Sequence, residues 1–161
     1  MMQDIHILVV DDNQENLRVV SNYLREKGYQ IALSFNGEGA LKLLEENKID
    51  LILLDIMMPG MDGYEVCKRL KADPRFKAIP VIFLTAKTDT DDIVKGFRVG
   101  GVDYITKPFK KEELYARVNS HVELKLLRDY LKAQAEESRD SRNNMMKMLL
   151  DFGKIIDPKS A

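Results

Sequence analysis

Four consecutive aliphatic residues, Leu51-Ile52-Leu53-Leu54, run without a polar break into a carboxylate, Asp55, and then into Ile56-Met57-Met58-Pro59-Gly60. A strand with no polar alternation has to be covered on both faces, the condition of a parallel sheet sandwiched between helices. The pattern recurs at Ile7-Leu8-Val9-Val10, which ends on Asp11-Asp12. Strands are expected at about 5–10, 29–34, 50–55, 80–84 and 102–105, the second being the weakest. Amphipathic stretches fill the gaps and predict helices at about 13–27, 37–47, 62–72 and 88–98, with a long one from about 110. Leu17, Val20 and Leu24 share one helical face, and Gly28 supplies the stop. Ala40, Leu43 and Leu44 face inward on the second helix, as do Leu114, Val118 and Val122 on the last. Alternating strands and helices of this kind give a doubly wound α/β domain, expected over residues 1–122. Periodicity does not reveal the strand order.

Open α/β sheets bind their ligands beyond the carboxyl ends of the strands. Asp11, Asp12 and Asp55 all fall there, as do Thr85, after Val81-Ile82-Phe83-Leu84, and Lys107, after Tyr104-Ile105-Thr106. Three carboxylates at one edge repel one another, and a divalent cation relieves that repulsion. Hard oxygen ligands suit Mg²⁺, with Mn²⁺ as an alternative. A hydroxyl and an ammonium beside the metal would neutralise phosphoryl oxygens during transfer, with Asp55 as nucleophile forming an acyl phosphate.

Composition narrows the setting. A formal net charge of −1 argues against a general nucleic-acid or membrane-surface binder. A single cysteine, Cys67, excludes an internal disulfide framework and fits a cytoplasmic location. No apolar stretch approaches the length of a spanning helix, and the N-terminus lacks a signal-peptide pattern.

Residues 123–161 are of another kind. They hold no glycine before Gly153 and no proline before Pro158, and charge of both signs is dense. Counting heptads from Leu124, the a and d positions are Leu124, Leu127, Leu131, Gln134, Ser138, Ser141, Met145, Met148, Phe152 and Ile155. That seam, apolar at both ends and polar in the middle, predicts a coiled-coil-like helix and a homodimer formed through it. The competing reading is a solvated helical linker.

The motifs Val9-Val10-Asp11-Asp12-Asn13, Leu54-Asp55 through Gly63, Leu84-Thr85-Ala86 and Tyr104-Ile105-Thr106-Lys107-Pro108-Phe109 resemble the receiver domain of bacterial two-component response regulators. The resemblance covers about residues 4–122. It implies a flavodoxin-like five-stranded sheet of order 2-1-3-4-5 with five helices, followed here by the helical extension. It implies further that Asp55 accepts a phosphoryl group from a sensor histidine kinase or phosphotransfer protein. Asp12 and Asp55 would hold Mg²⁺ through their side chains, Met57 through its main-chain carbonyl and Asp11 mostly through a metal-bound water. Lys107 would pair with Asp55, Thr85 would bond a phosphoryl oxygen, and Tyr104 would be the aromatic switch that turns inward. The Lys107-Pro108 bond would be cis. The chain is then a regulatory phosphoacceptor and not an enzyme in its own right.

Simpler roles exist for single residues. Asp12 or Thr85 alone reads as a helix cap, Tyr104 as a core aromatic, Cys67 as a small buried hydrophobe and Lys87 as an exposed charge. Asp89, Asp91 and Asp92 read as first-turn acids. His6 and His121 lack partners at metal-ligand spacing. Two other functions compete with the receiver reading. A Mg²⁺-dependent aspartyl phosphohydrolase resembling the haloacid dehalogenases wants a second Asp where Met57 stands. A phosphate-independent pseudo-receiver that only dimerises has no use for the acid pair, Thr85 and Lys107. No effector motif follows residue 122, which fits either a single-domain regulator with a helical tail or the N-terminal piece of a longer protein, the second being the expectation.

Overall fold

The structure is a computed structural model that describes residues 4–86 and 89–156, with side chains through residue 154. Lys87 and position 88 therefore lie outside the described residues, as does the side chain of Ile155 in the seam. Two compact units divide the chain, Met1–Lys125 and Leu126–Ala161.

The first unit carries strands β1 (His6–Val10), β2 (Gln30–Ser34), β3 (Leu51–Asp55), β4 (Val81–Thr85) and β5 (Asp103–Thr106). They form one parallel sheet of order β2-β1-β3-β4-β5, the flavodoxin-like order. Every residue of β3 and β4 is buried, as unbroken aliphatic strands in mid-sheet must be. β2 lies at the edge with Gln30 and Leu33 exposed, which explains its weak apolar signal.

Helices α1 (Gln14–Glu26), α2 (Gly37–Glu46), α3 (Gly63–Ala72), α4 (Thr90–Arg98) and α5 (Lys111–Ile156) complete the fold. Asn13, not Asp12, caps α1, its side chain accepting from the Asn16 N–H at 3.1 Å. That leaves Asp12 exposed and available to the sheet edge. Gly28 ends the turn after α1 at φ 88°, a left-handed conformation that glycine adopts without a Cβ clash. The fourth helix begins at Thr90 because Asp89 is extended (φ −63°, ψ 139°). Its cap position is thus Asp89, which makes no side-chain cap bond, and the first-turn acids are Asp91 and Asp92. Thr85 belongs to β4 and does not cap α4.

Within the first unit, α5 buries Leu114, Val118 and Val122. Three ion pairs tie the same stretch to its neighbours. Lys111 Nζ lies 2.7 Å from Glu26 of α1. Arg117 donates to both Asp103 oxygens of β5 at 2.8 and 3.0 Å. Lys125 Nζ approaches Asp50, just ahead of β3, at 3.7 Å. The second unit is helical through Ile156, and its apolar side chains, Leu127, Leu131, Met145, Met148 and Phe152 among them, are exposed. No helix among the described residues is long and apolar enough to cross a membrane.

Candidate functional site

Parallel strands deliver their carboxyl ends to one edge, and β1 and β3 are neighbours there. Asp11, just past β1, is fully buried. Its Oδ1 accepts from the Asn13 N–H at 2.9 Å, and its Oδ2 accepts from Asn16 Nδ2 at 3.2 Å. Asp55, the last residue of β3, is only 3% exposed, whereas Asp12 opens to solvent. One oxygen from each of the three carboxylates lies within 4.8 Å of the others. Lys107 Nζ bridges the two buried ones, 3.0 Å from Asp11 Oδ2 and 3.1 Å from Asp55 Oδ1.

Backbone geometry sets Lys107 in place. Its N–H donates to the Thr85 carbonyl at 2.9 Å, extending the β4–β5 ladder past Thr106. The following peptide to Pro108 is cis. Thr85 is buried at the end of β4, so its hydroxyl sits one strand from Asp55. The loop after β3 returns tightly, with the Gly63 N–H donating to the Ile56 carbonyl at 2.9 Å. On that loop the Met57 side chain is exposed, apart from the acid cluster.

One ammonium cannot neutralise two buried carboxylates and a third nearby. Burial, followed by the charge of Asp11, pushes the Asp55 carboxyl up to about 7 despite the opposing pull of Lys107. Burial works to lower the Lys107 ammonium, but the hydrogen bonds and charges of Asp11 and Asp55 outweigh it and hold it above its ordinary value. An excess of negative charge among hard oxygen donors is the chemistry a small divalent cation satisfies. The donor set therefore fits Mg²⁺, with Asp11, Asp12 and Asp55 as the side chains able to hold it.

Tyr104 stands apart from the acid cluster. It shares with Thr85 the wall of a cavity of about 10 Å³, which Phe83, Gly96 and Phe97 also line. Its ring meets Phe97 edge-on at 6.4 Å, and the Arg117 guanidinium lies 5.8 Å from its centre. Asp103 gathers this side of the unit, accepting from Arg117, from the Tyr104 N–H at 2.9 Å and pairing with His121 Nε2 at 3.0 Å. Sequence reasoning missed Asn16, Asp103 and Arg117. Only the helical spacing of Arg117 and His121, which puts both on one face of α5, hinted at a shared partner.

Comparison with known proteins supplies the family. The chain belongs to the response regulator receiver domain family, whose pattern it matches over residues 7–119. It is 40% identical over 133 residues to the response regulator PleD of Caulobacter vibrioides, covering 83% of this chain and 29% of that protein. It is 46% identical over 116 residues to the DNA-binding response regulator MtrA of Mycobacterium tuberculosis, covering 72% of this chain and 50% of the relative. The chain thus spans half or less of these curated relatives. Among solved structures, the chemotaxis protein CheY4 of Vibrio cholerae superposes with a TM-score of 0.71 at 29% identity, covering 73% of this chain and 98% of that one. A two-component response regulator from Clostridium difficile gives 0.70 at 32% identity, covering 74% and 97%.

Proposed function

We propose that Asp55 accepts a phosphoryl group from a sensor histidine kinase or phosphotransfer protein, in a Mg²⁺-dependent reaction, and that the resulting charge switches the conformation of the domain. The observation that carries this reading is the Lys107 bridge between buried Asp11 and Asp55 beside exposed Asp12. A bound cation would neutralise phosphoryl oxygens as the group transfers. An Asp55 oxygen attacks the phosphorus of a phosphohistidine, and the P–N bond breaks with its electrons going to the imidazole nitrogen. The product is an acyl phosphate on Asp55.

Phosphorylation adds about one negative charge and three acceptor oxygens where a carboxylate stood. Lys107 then follows the phosphoryl group, and the Thr85 hydroxyl donates to one of its oxygens. Movement of Thr85 opens the small cavity it shares with Tyr104, and the ring turns inward. Met57 would offer its main-chain carbonyl to a bound cation. The output is a population shift at α4 and α5, set by the different contacts each state makes. Such a module regulates and does not turn over a substrate of its own. A cytoplasmic setting follows from an ATP-fed kinase as donor. The exposed apolar seam of the second unit supports homodimerisation through residues 123–161.

Intact mass after incubation with acetyl phosphate and Mg²⁺ tests the assignment. One phosphoryl adduct on the wild type and none on Asp55→Asn is expected. An adduct of equal stoichiometry on Asp55→Asn would refute it.

A further inference from the structure

The two ends of the tail seam are apolar and exposed, with Leu127 at 54%, Leu131 at 56%, Met145 at 64% and Phe152 at 58%. Between them lie three polar layers, Gln134, Ser138 and Ser141. Any partner helix must match apolar to apolar and polar to polar. A second copy of the same helix does so at every layer only when parallel and in register; antiparallel about the serine layers, Ser138 meets Ser141 but Gln134 meets Met145. A parallel slip of one heptad sets Leu131 against Ser138 and Ser138 against Met145, burying hydroxyls against aliphatic surface.

Charge at the flanking positions separates the two. In heptad terms Glu137 is a g residue and Arg142 the e residue of the next heptad. Parallel, in-register helices bring g of one copy to the following e of the other, where opposite charges attract. The start of the tail repeats the arrangement, with Glu123 at g and Arg128 at e. The antiparallel alignment loses these matches, since Glu137 then meets Asn144 and Arg142 meets Ala135.

We propose that helix α5 pairs with a second copy of itself in parallel and in register, with Glu137 of each copy facing Arg142 of the other. This rests on the reading of residues 123–161 as the dimerising element and adds orientation and register to it. Gln134 meets Gln134 of the second copy, where the two amides hydrogen-bond each other, and together with the two serine layers this disfavours any slipped register.

Sedimentation equilibrium of the full chain tests the charge code. Glu137→Arg and Arg142→Glu should each weaken self-association about tenfold, and the double exchange should restore it. Orientation is read independently from oxidative crosslinking, with buried Cys67 as the internal non-reacting thiol. Leu127→Cys should link to itself in the dimer and should not link preferentially to Phe152→Cys. Crosslinking only between Leu127→Cys and Phe152→Cys, or single charge variants of unchanged affinity, would overturn the parallel arrangement while leaving the dimer standing. A wild-type chain that stays monomeric at every concentration would overturn the dimer reading itself.

Discussion

Gly63 sits so close to Asp55 that a Cβ built on it would lie 2.3 Å from the Asp55 carbonyl oxygen and 2.8 Å from the Ile56 Cα. Both neighbours are backbone, so no side chain can rotate away. The closeness comes from the tight return of the loop after β3, and it makes Gly63 a positioning residue for Asp55. Gly63→Ala should destabilise the fold by about 2–3 kcal/mol, in the range of overpacked sites. It should also slow phosphate uptake from acetyl phosphate, because the β3 end must move. Urea denaturation and intact mass read the two effects, and full wild-type stability would contradict the close approach.

Asp55→Asn should stabilise the metal-free protein at neutral and alkaline pH. The Asp55 carboxyl rises in the fold from its ordinary 3.8 to about 7, so its contribution is intact below the unfolded value. It is lost as pH climbs from 3.8 to about 7, and above that the fold carries the whole cost of the ionised group. Replacing it removes that cost, on the order of 1 kcal/mol once solvent screening at the open mouth of the site is discounted. The gain should vanish below the carboxylate range, and urea midpoints in chelator at the two pH extremes check this. Adding Mg²⁺ should narrow the gap by stabilising the wild type more than the variant.

Burial pushes the Cys67 thiol up to about 11. Alkylation at mildly alkaline pH should therefore proceed through unfolding, with a rate that collapses onto the opening reaction. The sign for stability is the reverse of a paired acid: the contribution is full below the unfolded value of 9.0 and declines as pH rises towards 11. Mass-detected iodoacetamide labelling across urea concentrations tests this. Rapid labelling of the native state would refute it.

Asp50 works at the opposite end of the strands from the acid cluster, where its Oδ2 accepts from the His6 N–H at 2.9 Å and its Oδ1 faces Lys125. Asp50→Ala should cost about 2 kcal/mol, since it withdraws both a hydrogen-bond acceptor and a buried counter-charge. Asp50→Asn keeps the acceptor and should cost about half as much. Equal losses for the two, read from urea midpoints, would show that the charge does not matter there.

The fold was legible because its central strands obey one rule throughout: Leu51–Leu54 and Val81–Leu84 have no polar residue, so only a doubly covered parallel sheet accepts them. Asp11, Asp12, Asp55 and Lys107 could be gathered from the same rule, since each ends a parallel strand. What eluded the sequence are contacts with no period. Lys125 and Asp50 are separated by most of the first unit, and the Asp103–Arg117–His121 group joins a strand to a helix by packing alone. Taken alone, Asp12 and Asn13 are equally good caps for α1, and no period in the sequence separates them. The backbone chose Asn13, and that choice left Asp12 to the site.

Lys111, Arg117 and Lys125 clamp α5 to α1, to β5 and to the residue ahead of β3, one contact at each of three levels. A rod held at both ends and the middle cannot bend or unwind locally without breaking an ion pair. Displacement at the loop after β5 should thus travel along residues 111–125 as rotation of a stiff body, undiminished by slack. Amide protons across that stretch should then exchange together, as one cooperative unit, and not in sequence from a fraying end.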